Sequence, residues 1–228
     1  MNNKLNEEVA LELLIKDQIK ERSDLKKTEN RWILHSIYVG LASRRIAFKL
    51  GLDSGYAMAL GFIHDIGRKI DHFNHPIEGY NYLIKLGYVE EAKISLTHSF
   101  VDNQIENTAG GGPKDLDSYN FINDFLIKNP PTLYDNIIQL CDLFCLETGF
   151  TTIEKRLLDL CFRKGIYSNS YLHFQNVIKL KEKLESKMKC NLYDLFPEIE
   201  KDDLNSQYQD KEKLIDILKD NQKIKCKN

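Results

Sequence analysis

Apolar residues recur along most of this chain at intervals of three and four, the spacing of one face of a helix. Val9, Leu11, Leu13, Leu14 and Ile19 mark an N-terminal helix that fades into the charged stretch 20–27. Thr28-Glu29-Asn30 can cap a second helix carrying Trp32, Ile33, Ile37, Val39, Leu41, Ile46, Ala47, Phe48 and Leu50, and Gly51 is placed to stop it. Ser54 can cap a third, through Ala57, Met58, Leu60, Phe62 and Ile63 to about Gly67. His75-Pro76 opens a fourth, since proline at an early helical position forfeits no bonded N–H, and it runs to Gly87. A fifth is expected over 89–100, and the composition of Asn107-Thr-Ala-Gly-Gly-Gly-Pro113 makes a flexible surface loop. Helices resume over 116–127, 133–146, 153–163 and 171–188, with Pro130-Pro131 and Gly149 as breaks and Thr151/Thr152 as an N-cap. A thin apolar stripe (Leu214, Ile215, Ile217, Leu218) crosses the charged last 30 residues and predicts a docking helix with a frayed tail. Period-2 strands, internal repeats and long linkers are all missing from the pattern. The expectation is an all-α single domain, with an N-terminal helix (1–27) packed on a core domain (28–190) and a C-terminal appendage (191–228).

Composition narrows the function. The 228 residues carry 32 Lys plus Arg against 34 Asp plus Glu, a net charge of −2. That balance argues against a chain whose task is binding nucleic acid or an anionic membrane. At 42% hydrophobic and 29% charged residues the chain is ordinary globular material, and no uncharged apolar run approaches the roughly 18–20 residues of a membrane span. The N-terminus lacks the charged, apolar and cleavage regions of a signal peptide, so a soluble, cytoplasmic protein is expected. The terminal amphipathic segments make self-association into a homo-oligomer a candidate property. Five cysteines, an odd number with no CxxC pair, exclude a disulfide framework or a cysteine-built zinc site; Cys141, Cys145 and Cys161 read as buried thiols.

Histidine is distributed differently. Five of the six (His35, His64, His72, His75, His98) fall between residues 35 and 98. His64-Asp65 ends an apolar helix, where an aspartate is rarely buried unless paired or bound to a metal. His35 lies among apolar neighbours in the second helix, and Asp142 interrupts the apolar run Ile137-Ile138-Gln139-Leu140-Cys141. An unpaired carboxylate there costs several kcal/mol. Imidazole nitrogens with carboxylate oxygens suit Fe, Mn, Co, Ni or Zn, and these positions, each on its own helix, meet only inside a bundle.

The order His35 … His64-Asp65 … Asp142 resembles the HD-domain superfamily of metal-dependent phosphohydrolases, over about residues 30–150. His64-Asp65-Ile66-Gly67-Arg68 is similar to the HDIG subgroup, with Arg68 where lysine is common, and His75-Pro76-Ile77-Glu78-Gly79 is similar to the HP-x-x-G segment that follows. The resemblance implies an HD-like helical bundle in which His35, His64, Asp65 and Asp142 hold one divalent transition metal ion. It further implies that Asp65 bridges to a second ion held by His75 and His98. Ser99-Phe100-Val101-Asp102 after His98 supplies neither the second His nor the GYP of cyclic-di-nucleotide-cleaving members, which disfavours that substrate. The implied chemistry is hydrolysis of a phosphate ester or anhydride, on a nucleotide or another small phosphorylated metabolite, by a metal-activated water. Asp65, His64 and Arg68 are the catalytic candidates, and Arg68 and Lys69 the cations for substrate phosphate. A catalytically inactive HD-fold module that binds a nucleotide signal or a protein partner is the alternative. His72 reads as exposed, His173 lies outside the cluster, Arg156 reads as solvated, and the Lys-rich run 179–189 reads as an exposed helix face with i,i+4 pairs.

Overall fold

The computed structural model describes residues 4–20, 22–109, 112–113 and 115–199. The C-terminal stripe expected at Leu214–Leu218 lies outside the described residues. Nine α-helices occupy the described chain: α1 (Glu7–Ile15), α2 (Arg31–Lys49), α3 (Ser54–Ile63), α4 (His75–Lys85), α5 (Val89–Thr97), α6 (Leu116–Lys128), α7 (Leu133–Asp142), α8 (Ile153–Lys164) and α9 (Ser170–Met188). The all-α expectation holds. It needs one small amendment, a two-residue hairpin of β1 (Cys145–Leu146) on β2 (Gly149–Phe150). The seventh helix, expected to reach residue 146, stops at Asp142, and the chain folds back through Gly149 at φ 145°, a value suited to glycine.

Other boundaries shift for equally local reasons. Asp53, not Ser54, caps α3 by accepting the Tyr56 N–H, because a carboxylate one residue earlier is the better-placed acceptor. Asn30 precedes α2 without capping it; its amide donates instead to the Asp24 carbonyl. The fifth helix ends at Thr97 rather than 100, and Asp102 and Asn103 follow in left-handed conformation. Gly51 stops α2 at φ +70°, and Thr152 caps α8, as expected.

The core centres on α2 and α3. They approach so closely at Gly40 and Gly61 that a Cβ on Gly61 would sit 2.5 Å from the Gly40 Cα. Around that crossing Ile33, Leu41, Ile46, Leu60, Phe62 and Ile63 are fully buried, and α7 packs on both helices. Leu5, Ala10 and Leu14 bring α1 into this core, and so do Leu192 and Phe196 past α9, where Phe196 stacks against Phe144 and Phe150. Gln139, fully buried on α7, donates its amide to the carbonyls of Phe100 (2.9 Å) and Thr97 (3.2 Å). It thereby fixes the backbone on either side of His98 to the helix that ends in Asp142. No described helix is long and apolar enough to cross a membrane.

Candidate metal centre

Three apolar helices drive their C-terminal ends into one place. Residues 57–63 of α3 are buried without exception, so the residues that follow, His64 and Asp65, enter the core with them. His98 follows the last turn of α5, and Asp142 is the last residue of α7. His35 joins from the second turn of α2 and His75 from the start of α4. Helix C-termini carry partial negative charge, so their convergence favours a cation between them.

The ring nitrogens are sorted by what each faces. Nδ1 of His64 is 2.7 Å from the Gly61 carbonyl, that of His98 2.9 Å from Ser95, that of His75 3.2 Å from His72, and that of His35 3.2 Å from Cys145. A carbonyl only accepts, so each Nδ1 carries a proton, and Nε2 is the ring atom each histidine turns inward. Those four Nε2 atoms face two carboxylates. His35 lies 2.9 Å and His64 3.8 Å from Asp142 Oδ1; His75 lies 3.1 Å and His98 3.4 Å from Asp65 Oδ1. Nε2 of His64, Nε2 of His75 and Oδ1 of Asp65 are buried without a hydrogen bond, despite these short distances. When His75 is neutral with its proton toward His72, lone pair faces lone pair, an arrangement a positive ion relieves. Ligand atoms of His35, His64 and Asp142, and separately of His64, Asp65 and His98, lie within 4.8 Å of one another. The donor set and the orphaned atoms fit one or two divalent transition ions.

Protonation equilibria follow the same geometry. Burial pushes His64 down to about 4, against the pull of Asp65, and burial likewise lowers His75. Burial alone would raise Asp65, but the Arg68 guanidinium, then His75 and His64, hold it well below the usual carboxylate range. Asp142 is lowered against the same burial effect, by His35 first. Burial depresses His98 too, yet its bond to Asp65 and that carboxylate's charge leave it raised overall. Both carboxylates are thus charged, and His64 neutral, across the physiological range.

The flanking residues divide. Arg68 donates its Nε to Asp65 Oδ2 at 2.5 Å, and among the described residues its two outer nitrogens have no partner. Lys69 corrects the expectation: its ammonium donates to the Leu13 carbonyl (3.1 Å) and lies 5.1 Å from the centre of the Tyr82 ring, so it serves the docking of α1 and not the cluster. The cause is tertiary, since α1 covers the flank to which the residue after Arg68 points. His72 is exposed and contributes only its carbonyl to His75. Arg156 is largely covered, not solvated, with Nη1 on Asp159 at 3.0 Å.

The sequence reading passed over Lys164 and set His173 outside the cluster; the structure places the two beside one small cavity, apart from the cluster residues. Their own helices give no motif; the available signal was a single histidine on the apolar face of α9. His173 is 2% exposed with both ring nitrogens unpartnered, and burial pushes it down to about 4, helped by Lys164. The unfolded chain takes up this proton below about pH 6.5 and the folded chain does not, so stability is lost as pH falls from about 6.5 to 4. His173→Phe should therefore remove about 2–3 kcal/mol of the stability difference between pH 7 and pH 4.5. Chemical denaturation at the two pH values measures it, and equal differences in wild type and variant would refute the assignment.

Taken together, the chain has an all-helical core with a buried histidine–aspartate cluster at its helix ends that could hold a metal ion. The HD domain family model matches residues 32–145, half of the chain, and the chain belongs to that family. HD domains bind divalent metals and are generally metal-dependent hydrolases. Comparison with curated proteins and with solved structures gives no match.

Proposed function

We propose that this chain is a metal-dependent phosphohydrolase of the HDIG type, cleaving a phosphate ester or anhydride of a nucleotide or other small phosphorylated metabolite. One observation carries the reading: four Nε2 atoms and two carboxylates converge in one place at the helix ends, with the Nδ1 atoms turned to backbone carbonyls. In it His35, His64, Asp65 and Asp142 would hold one divalent ion, and His75 with His98, across Asp65, a second. When bound, such an ion supplies a water of lowered pKa and offsets phosphoryl charge.

The chain's residues do the rest. The Nδ1–carbonyl bonds fix the orientation of each ring and turn its Nε2 inward. Arg68 holds Asp65 through Nε and turns its outer nitrogens to the phosphoryl oxygens, for which a planar fork is suited. Gln139 keeps the His98 segment in register with Asp142.

Phosphate release from a panel of nucleotides and phosphorylated metabolites, each with Mn, Fe, Co, Ni or Zn, tests the proposal. Metal-dependent release from at least one compound, abolished by a chelator and restored by the ion, is expected. Metal uptake without hydrolysis of any compound would overturn it in favour of an inactive binding module.

A further inference from the structure

The two halves of the cluster are held in different ways. His35 sits in the body of α2 and Asp142 on α7, so regular helix fixes both. His98 follows the end of α5 and opens the turn 98–103, in which Asp102 (φ 54°) and Asn103 (φ 53°) are both left-handed without being glycine. Such a conformation is sparsely populated and persists where surrounding bonds over-determine it. Here one side chain supplies most of them. Gln139 turns its two amide N–H groups to three oxygens, the carbonyls of Thr97 (3.2 Å) and Phe100 (2.9 Å) and Oδ1 of Asn103 (3.0 Å). Its own Oε1 accepts the Asp102 N–H at 3.3 Å. Asn103 in turn donates to the Asn129 carbonyl at 2.7 Å. Lys183 reaches Asp102 only as a surface pair at 3.4 Å, a weak tie. Gln139 is fully buried, where an amide is sustained only by having its bonds made. It stands one turn before Asp142 on the same helix, so the backbone around His98 is tied to the element that carries the other half of the cluster.

We infer that Gln139 is a positioning residue for the second ion; this rests on the two-ion phosphohydrolase reading above. By fixing the turn 98–103 it sets where His98 Nε2 stands, 3.4 Å from Asp65 Oδ1, and so governs the affinity of the half built from His75, His98 and Asp65. The half built from His35, His64 and Asp142 does not depend on it. Nδ1 of His35 faces the Cys145 carbonyl and Nδ1 of His64 the Gly61 carbonyl, both outside the Gln139 network. Without Gln139 the left-handed pair loses its inward bonds, the turn relaxes toward an ordinary conformation, and His98 moves with it. Loss of a group that orients a metal ligand costs about 10- to 100-fold in affinity. That loss falls on one ion and not on the other.

The test titrates the metal-free full chain with Co(II), following the visible absorption of the bound ion and counting ions by mass spectrometry. Wild type is compared with Gln139→Met, Asn103→Gly and Leu14→Ala. Met keeps the length of the side chain and forfeits all four bonds. Gly keeps the left-handed backbone at 103 and removes one Gln139 partner, a milder change. Leu14→Ala opens a cavity in the core beneath α1 and controls for lost stability alone. Wild type and Leu14→Ala should both take two ions. Gln139→Met should bind the first with the wild-type affinity and spectrum and the second about 10- to 100-fold more weakly, and Asn103→Gly should show the same asymmetry to a smaller degree. A second-ion affinity in Gln139→Met equal to wild type, an equal loss of both ions, or a wild type that takes a single ion overturns the inference. So does a Leu14→Ala that loses the second ion as Gln139→Met does. If Gln139→Met does not fold, unchanged binding in Asn103→Gly overturns it alone. Two ions in wild type, the second weakened in Gln139→Met, and no hydrolysis of any compound would retire the phosphohydrolase reading and leave the role of Gln139 standing.

Discussion

Asp65→Ala should lose metal and hydrolysis together. Asp65 touches both halves of the cluster: its Oδ1 faces His75 and His98, and its Oδ2 lies 3.8 Å from His64 Nε2 while binding Arg68. Its removal takes away a buried negative charge that three rings and a guanidinium are arranged around. Activity should fall by more than about a thousandfold, well beyond the roughly 10- to 100-fold produced by removing a group that only supports a ligand. The thermal signature separates this from general damage. An ion that binds only the folded chain adds about 4 kcal/mol when present at about a thousand times its Kd. The wild-type melting temperature should therefore drop on chelation, and that of Asp65→Ala should not respond. A variant that kept full metal content and activity would remove Asp65 from the centre of the account.

Gly67→Ala should be the most damaging conservative change in the HDIG stretch, through packing and not through chemistry. The turn Ile66–Lys69 lies directly on the first turns of α4, and an added Cβ at Gly67 would overlap the backbone carbonyl of His75 and the backbone N of Gly79. Neither neighbour is the end of a flexible side chain, so the two segments must part. Overpacking of this kind costs about 1–3 kcal/mol and occasionally more. In a domain of this size that is a fall in Tm of several degrees, at about 2–4 °C per kcal/mol. The parting also carries His75 away from Asp65, so metal stoichiometry should fall with Tm. An unchanged Tm with full metal loading would contradict the close packing of turn and helix.

What the residues disclose in advance depends on whether their partners are local. His64 and Asp65 stand out because polarity follows an apolar helix without a break, and Asp142 because a carboxylate interrupts an apolar face; such signals need no knowledge of the fold. The family resemblance then supplied His75 and His98, which the structure brings to Asp65. Lys69 was misread because its direction is set by α1, more than fifty residues away in sequence. Lys164 and Gln139 were missed for the same reason: their partners, Ala109, Thr97 and Phe100, lie on segments whose proximity no periodicity encodes. The β1–β2 hairpin, two residues per strand, is too short to show alternation, and Asp53 displaced Ser54 as cap by a contest between adjacent residues that helix spacing does not decide.

The carbonyl-tethered rings also explain why the buried cluster is sustainable. Each Nδ1–H is satisfied by backbone, so the unsatisfied groups are confined to the inward atoms that a cation would use.

The central claim is that these inward atoms hold metal, and elemental analysis tests it most directly. The purified 228-residue chain would be equilibrated with Mn or Fe, freed of loose ions by gel filtration, and its metal content measured by mass spectrometry beside Asp65→Ala. The account predicts one or two ions per wild-type chain and none in the variant. A wild-type chain without metal above the buffer level, or a variant that retains the wild-type amount, would contradict it.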